Sequence, residues 1–182
     1  YNKFHLVPFG EYLPFRKFFD YFGFSKIVFG AIDYSRGTGP KTIKLDKLPS
    51  FSPLICFEAI FPGEVVNPKD RPQWLLSLSN DAWFGNFAGP WQHFEMAKIR
   101  SIEEGLPLIR VSNTGISAVI DSYGRTLKSL PYGKFGIIDH YLPGNLKSTV
   151  YSRLGDIIVF TLGILIISSV FLFQAIKKIF NN

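Results

Sequence analysis

Apolar residues along this chain form short continuous runs that alternate with a stretch at helical spacing. The short runs are Ser52–Cys56, Trp74–Ser79 and Leu108–Ser112, and each is bounded by polar or turn residues. Runs of this length are typical of buried strands. Between the last two, residues 92–104 place apolar side chains three and four apart and end at Gly105, which predicts a helix. The alternation favours an α/β layered domain.

The part of the chain after residue 115 favours more strands. Ile116–Leu130 predicts a hairpin that turns at Ser122–Arg125, and Gly136–Leu142 predicts one further strand.

The segment Tyr34–Thr42 ends in residues like those of a phosphate loop, but a proline interrupts the motif and the glycine spacing is wrong. We interpret that segment as a flexible crossing between elements.

The last long apolar run predicts a membrane helix. Ile157–Ile176 carries no charge, and as a helix it would extend about 30 Å, the hydrocarbon thickness of a bilayer. A buried core helix is the alternative, but a helix apolar on every side needs a large protein around it. The sequence thus predicts a domain over residues 1–150 and a transmembrane helix with a basic tail over 151–182. Lys177 and Lys178 favour a cytoplasmic C-terminus.

A second membrane signal lies in the segment Pro14–Gly23. Its phenylalanines fall at positions i, i+3, i+4 and i+7, with charged residues between them, which predicts a short amphipathic helix. These phenylalanines are Phe15, Phe18, Phe19 and Phe22. The aromatic face either docks on the core of the domain or dips into the lipid interface and helps to admit an acyl chain.

Composition supports a membrane-associated protein. Of its residues, 47% are hydrophobic and 16% aromatic. The length of 182 residues permits one domain with a core and a short appendage. The net charge of +6 suits an anionic membrane surface as well as nucleic acid, but no nucleic-acid motif accompanies it, so we expect no nucleic-acid partner. The single cysteine excludes an internal disulfide. His5, His93 and His140 lack metal-ligand spacing, so we interpret them as structural and expect neither a metal nor another cofactor.

Cys56 is the candidate nucleophile. It stands where the apolar run gives way to a more polar stretch, and a thiol just past a buried strand is held by the sheet behind it. Glu58 offers a carboxylate beside it. The alternative is that a lone cysteine among apolar residues is a small, inert core residue. Near the N-terminus, Lys3 and Glu11 bracket a short extended segment that ends in turn residues.

A cysteine, a lysine and a glutamate can together perform acyl transfer. The carboxylate takes the thiol proton, the thiolate attacks a carbonyl group, and the ammonium stabilises the oxyanion of the tetrahedral intermediate. One such charge-stabilising group contributes about 3 kcal/mol. These residue types are therefore compatible with an acyl-transfer enzyme.

About two thirds of the chain resembles the carbon-nitrogen hydrolase (nitrilase) superfamily, and more narrowly its membrane branch, the apolipoprotein N-acyltransferases. The matching segments occur in the order of the family. They are Lys3–Glu11, Cys56–Pro62, Ser79–Gly85, Gly89–Ala97, Arg100–Pro107 and Arg110–Ser117. The resemblance implies a nitrilase-like α-β-β-α sandwich. Two departures are Phe57, where a tyrosine is common, and Leu106, where an arginine is common.

The resemblance also implies roles for individual residues. By position, Cys56 would be the nucleophile and Lys3 the oxyanion-stabilising lysine, while Glu11 and Glu58 would be supporting carboxylates. The expected substrate-binding positions are Asn80, Trp83 and Phe84, and the two aromatic residues match the family's lipid-contacting positions. The family's general-base glutamate belongs to a motif upstream of the lysine. Because this chain begins two residues before that lysine, we expect it to be a piece of a longer product, and we expect this piece to lack the general base.

The implied reaction moves a fatty acyl chain from a phospholipid to a cysteine thioester, and then to the α-amine of a lipidated N-terminal cysteine of an apolipoprotein. The expected partners are the phospholipid donor, the lipidated apolipoprotein acceptor and the membrane, and we expect a monomer. The implied location is the bacterial inner membrane, with the catalytic domain facing the periplasm. Two alternatives stay open: a membrane-tethered amidase or nitrilase-type hydrolase, and a non-catalytic remnant that only binds lipid or a partner chain.

Overall fold

A computed structural model of the chain describes residues 1–23 and 33–180. The described part is organised around a six-stranded sheet whose strands lie side by side in chain order. Strands β2, β3 and β4 are parallel to one another, and the remaining pairs are antiparallel. The strands are β1 (Ile43–Leu45), β2 (Leu48–Ile55), β3 (Trp74–Asn80), β4 (Leu108–Asn113), β5 (Ser117–Ile120) and β6 (Thr126–Leu130).

Four α-helices and two 3₁₀ helices complete the described part. The α-helices are α1 (Arg16–Tyr21), α2 (Gly89–Glu104), α3 (Val150–Leu154) and α4 (Ile157–Phe180), and the 3₁₀ helices are Cys56–Ile60 and Asp81–Phe84. Pro90 suits the first turn of α2, and Gly105 ends that helix in the left-handed conformation at φ +64°. The predicted strands up to residue 113, the helix between them and the hairpin are confirmed.

The core lies between α2 and one face of the sheet. Leu54, Leu75 and Leu108 point from the three parallel strands to that face and are fully buried against Phe94 and Ala97 of α2. Because strand side chains alternate between the two faces, their sequence neighbours project to the other side. There Leu78 and Val111 are largely exposed. The described residues thus form one sheet and one helical layer of the α-β-β-α arrangement.

The parallel strands deliver three loops to the same edge of the sheet. Cys56 follows β2, Asp81 follows β3, and Asn113 ends β4. In sheets with parallel strands, ligands bind in the crevice outside the carboxyl ends of those strands. This edge is therefore where the candidate site is expected to assemble.

The predicted strand at Gly136–Leu142 is wrong. Residues 135–142 form no regular element, and Phe135, Ile137 and Tyr141 are almost wholly exposed. A strand persists only where a neighbouring backbone accepts and donates its hydrogen bonds. No described strand pairs with this segment. The apolar alternation in the sequence is real, but it lacks a sheet edge to join among the described residues.

The predicted amphipathic helix at Pro14–Gly23 is shorter than expected. Phe15 has a positive φ of +49°, which a helix cannot include, so α1 begins only at Arg16. Phe15, Phe18 and Phe22 are exposed, so these side chains do not dock on the core of the described domain. The side chain of Phe19 lies outside what the structure describes, as does that of Lys178.

The C-terminal helix α4 is long and apolar enough to cross a membrane. Within it, Ile157–Gln174 has a mean hydropathy of 2.5, and none of this stretch is buried against the domain. The 24 residues of α4 extend about 36 Å. The absence of burial argues against a core helix, and α4 is a candidate membrane span.

The packing of the core generates a stability prediction. Leu108→Ala removes side-chain atoms that are fully buried beneath α2, so we expect a loss of about 3 kcal/mol in the free energy of unfolding. Leu127 lies on β6 and is 44% exposed, so Leu127→Ala should cost only about 0.5 kcal/mol. Denaturant unfolding of both variants measures the difference. Equal losses would show that the core does not lie where α2 meets the sheet.

Candidate active site

Cys56 occupies a strained turn at the carboxyl end of β2. Its φ is +52°, in the left-handed region that favours glycine, and it begins the 3₁₀ helix Cys56–Ile60. Holding a non-glycine residue in such a conformation costs about 1–3 kcal/mol. The side chain is only partly buried, which differs from the inert core cysteine that was the alternative. A strained, accessible thiol at a strand end is the arrangement expected of a nucleophile.

A cavity of about 440 Å³ opens beside this thiol. Its walls are mainly apolar, with Glu11 as the charged carboxylate among the lining residues. They come from the N-terminal segment, the two 3₁₀ helices and α2. The lining residues are Val7, Gly10, Glu11, Cys56, Phe57, Ile60, Trp83, Phe84, Gly89, Gln92, His93 and Met96. The structure thus brings the predicted residues Trp83 and Phe84 together with Cys56 and Glu11.

Lys3 forms an ion pair with Glu11 at one side of this site. The Lys3 Nζ donates to both carboxylate oxygens, at 2.7 and 2.8 Å, and the Val7 N–H donates to Oε2 at 2.8 Å. Both side chains are largely buried. The segment 34–42 packs on the backbone of Lys3, since the Gly37 N–H donates to the Lys3 carbonyl at 2.8 Å. Glu11 therefore orients Lys3 through two short hydrogen bonds.

Glu58 is fully buried and joins the N-terminal segment to the turn of Cys56. Its Oε1 accepts hydrogen bonds from the Tyr1 hydroxyl at 2.9 Å and the Phe4 N–H at 2.7 Å. Its Oε2 accepts from the Ile55 N–H at 2.7 Å. Burial, together with the negative charge of Glu58, raises the pKa of Tyr1 well above its ordinary value. Both oxygens of Glu58 are occupied by donors, so its geometry is that of a structural link.

Asn80 does not line the cavity. Its side-chain oxygen accepts from the Ala82 N–H at 3.3 Å, which caps the 3₁₀ helix Asp81–Phe84, and from the Asn113 side-chain amide at 3.2 Å. Asn80 therefore holds the start of the helix that carries Trp83 and Phe84. Unlike Trp83 and Phe84, it is not among the residues that line the cavity.

A buried polar network beneath Cys56 was not recognised in the sequence. The Asp81 carboxylate lies 2.9 Å from His93 Nδ1 and accepts from Arg110 Nη2 at 2.7 Å and from the Ser79 hydroxyl at 2.6 Å. Burial raises the pKa of Asp81, but the His93 hydrogen bond and the Arg110 charge outweigh burial and hold the pKa below its ordinary value. His93 Nε2 lies 3.1 Å from the Cys56 carbonyl oxygen.

One sequence signal could have revealed this network. Arg110 stands in the middle of an apolar strand, at a position whose neighbours Leu108 and Ala118 face the core. A guanidinium there needs a buried acceptor of opposite charge. The carboxylate at the end of the adjacent strand, Asp81, is the residue that the topology brings within reach.

The network leaves no space for a side chain at Gly115. A Cβ there would collide with the Asp81 carboxylate and the Ser112 hydroxyl. The glycine therefore allows the turn after β4 to pass directly over the buried carboxylate. Among the residues that the structure describes, no cluster of three histidine, cysteine or acidic side chains could hold a metal ion. The chemistry that these side chains offer is that of a thiol, carboxylates and an ammonium group.

Comparison with known proteins is consistent with this arrangement. The family model of carbon-nitrogen hydrolases matches residues 1–149, most of the chain. The chain belongs to the carbon-nitrogen hydrolase family. In this family member the candidate nucleophile, the Lys3–Glu11 pair and the buried network all lie within the matched residues.

Several curated relatives carry one name. The chain is 49% identical over 86% of its length to an apolipoprotein N-acyltransferase of Bradyrhizobium diazoefficiens, of which it covers 29%. It is 41% identical over its whole length to an apolipoprotein N-acyltransferase of Rickettsia bellii, of which it covers 36%. The chain thus spans about a third of the length of these relatives.

Among solved structures, a mutant of the Nesterenkonia AN1 amidase from the nitrilase superfamily is 17% identical. That match covers 72% of this chain and 46% of the amidase, with a TM-score of 0.48. The family assignment rests on the sequence match.

The close approach at Gly115 generates a prediction. We expect Gly115→Ala to destabilise the domain by about 3 kcal/mol, because the added methyl group overpacks the buried carboxylate of Asp81 and its neighbour. Gly144→Ala is the matched control, since nothing lies within 4 Å of a Cβ at Gly144. Thermal unfolding of the two variants measures the contrast. A Gly115→Ala variant as stable as the control would contradict the buried network.

Proposed function

We propose that this chain carries the nucleophile of an apolipoprotein N-acyltransferase. The Cys56 thiol loses its proton, and the thiolate attacks the ester carbonyl of a phospholipid to form a thioester. The leaving group takes that proton and departs as a lysophospholipid alcohol. The α-amine of a lipidated N-terminal cysteine then attacks the thioester, forms an amide and returns the thiol. Such double displacement gives ping-pong kinetics. The observation that carries the proposal is the strained Cys56 beside a mainly apolar cavity.

In this mechanism the charged side chains divide the work. Lys3 stabilises the oxyanion of each tetrahedral intermediate, and Glu11 orients its ammonium group through the two hydrogen bonds described above. Glu58 fixes the N-terminal segment against the Cys56 turn. Since donors occupy the oxygens of both carboxylates, a further glutamate from the longer protein would serve as the general base.

Two features favour a lipid substrate over a soluble amide. The apolar walls formed by Trp83, Phe84 and Met96 suit an acyl chain. The exposed Phe15, Phe18 and Phe22 follow the cavity-lining Glu11 closely in the chain, and α4 supplies a candidate membrane anchor. A water-soluble amide would need neither. The names of the curated relatives support the same choice.

The proposed partners and location follow from this reaction. The donor is a phospholipid, the acceptor is a lipidated apolipoprotein, and the enzyme acts as a monomer. We place it in the bacterial inner membrane with the catalytic domain in the periplasm and the basic end of α4 in the cytoplasm, in keeping with the positive-inside tendency.

A covalent intermediate tests the reaction. The natural full-length protein, reconstituted in phospholipid vesicles without an acceptor, should gain the mass of one fatty acyl group on Cys56, because the thioester waits for an amine. Intact mass spectrometry detects the adduct. Cys56→Ser should lack a hydroxylamine-sensitive adduct, which controls for acylation elsewhere.

The acceptor separates the alternatives. Addition of a diacylated lipopeptide should discharge the adduct and yield an N-acylated lipopeptide. Discharge by water at the same rate without the lipopeptide would instead identify a hydrolase. Absence of any adduct in the full-length protein would leave lipid binding as the function and refute the acyltransferase.

The exposed aromatic segment generates a second prediction. Replacing both Phe15, which is 84% exposed, and Phe18 with serine should raise the KM for phospholipid about 100-fold or more, because burial of each phenylalanine in lipid contributes about 1.5–3 kcal/mol. The kcat for thioester formation should stay unchanged. Phe135 is also exposed and lies in the irregular segment 134–142, so Phe135→Ser is the matched control. An unchanged KM, or the same rise in the control, would contradict a lipid-facing role.

A further inference from the structure

His93 is buried between two oxygen acceptors. Its Nδ1 faces the Asp81 carboxylate at 2.9 Å, and its Nε2 faces the Cys56 carbonyl oxygen at 3.1 Å. A carbonyl oxygen can only accept a hydrogen bond. A ring without a proton on Nε2 would place its lone pair against that oxygen. The surroundings therefore require that Nε2 carries a proton and donates it to the carbonyl oxygen of Cys56.

The far side of the ring is held just as firmly. Arg110 Nη2 donates to Asp81 Oδ2 at 2.7 Å and lies 3.2 Å from His93 Nδ1, while Arg110 Nη1 donates to the Ser77 hydroxyl at 3.2 Å. Asp81 and Arg110 are fully buried, and His93 nearly so. These side chains come from three elements, the 3₁₀ helix after β3, α2 and β4. The imidazole therefore has one orientation, set by groups that do not themselves line the cavity.

The hydrogen bond from His93 ends on the strained residue. Cys56 keeps a φ of +52° only because its surroundings hold it there. The peptide that follows it is planar and trans. Fixing its carbonyl oxygen therefore also fixes the N–H of Phe57, which points the opposite way. The hydrogen bond from His93 thus restrains both the backbone of Cys56 and the N–H of Phe57, and both residues line the cavity.

We propose that His93 is a positioning residue for acyl transfer: anchored by Asp81 and Arg110, it holds the Cys56 peptide in the strained conformation that directs the thiol into the cavity. This role rests on the proposed function of Cys56 as the nucleophile. The phenyl ring of Phe84 lies 5.6 Å from the imidazole, centroid to centroid. His93 borders the cavity, but its two ring nitrogens face the Asp81 carboxylate and the Cys56 carbonyl oxygen, so it acts through the backbone of Cys56 and does not transfer protons to the substrate.

Amide side chains distinguish this role from simple packing. Glutamine places an N–H near the position of Nε2, whereas asparagine places one near Nδ1. In the natural full-length protein, His93→Gln should retain most of the rate of thioester formation from phospholipid vesicles. His93→Asn and His93→Ala should lose about 100-fold, the cost of misplacing a reacting group by about 1 Å. His140→Ala, at an exposed histidine, is the control and should match the wild type.

Alkylation of Cys56 by iodoacetamide gives a readout that needs no lipid. The inference expects slow alkylation in the asparagine and alanine variants, and near wild-type alkylation in the glutamine variant, with melting temperatures that do not follow this order. If rates follow melting temperature, or if asparagine serves as well as glutamine, the positioning role is overturned. If the wild type forms no thioester, the proposed function fails, and the order of alkylation rates still decides the role of His93.

Discussion

The site depends first on one buried carboxylate. Glu58 accepts hydrogen bonds from the Tyr1 hydroxyl and the N–H groups of Phe4 and Ile55. Hydrogen bonds to a charged acceptor contribute about 1.5–3 kcal/mol each, and a buried carboxylate without them would be very costly. Because these donors belong to the N-terminal segment and to the end of β2, the carboxylate ties the segment of Lys3 to the turn of Cys56. The position of the N-terminal segment against the Cys56 turn is thereby set by a buried group of the domain.

The strained turn of Cys56 is supported from two sides. Glu58 accepts from the residue just before it, and the His93 ring meets its carbonyl oxygen from below. The second support rests on an ion pair between Asp81 and Arg110 that is fully buried. Removal of one member of such a pair leaves an uncompensated charge and costs about 3–5 kcal/mol. The cavity walls are mainly apolar, and Glu58, Asp81 and Arg110 are not among the residues that line the cavity.

The same chain combines this preorganised site with surfaces suited to a bilayer. The core beneath α2 is buried, whereas Phe15 and Phe18 are exposed and none of Ile157–Gln174 is buried. Exposed apolar surface of this extent is unusual for a domain surrounded by water. A membrane that covers these residues would remove the cost of exposing them to water.

The sequence by itself determined the three strands up to residue 113, the helix α2, the hairpin and the apolar C-terminal helix, because each follows from local hydrophobic spacing, whereas the parallel pairing of those strands came from the structure. It also offered Cys56 and the Lys3–Glu11 segment as candidate site residues, since reactive residue types in short motifs are visible without a fold. The strand expected at Gly136–Leu142 failed because a strand needs a partner. Only the tertiary structure decided that Glu58 is a link, that Asn80 is a cap, and that Asp81, His93 and Arg110 meet beneath the thiol. Those contacts join residues far apart in the chain, and no local pattern records which distant groups a buried charge will find.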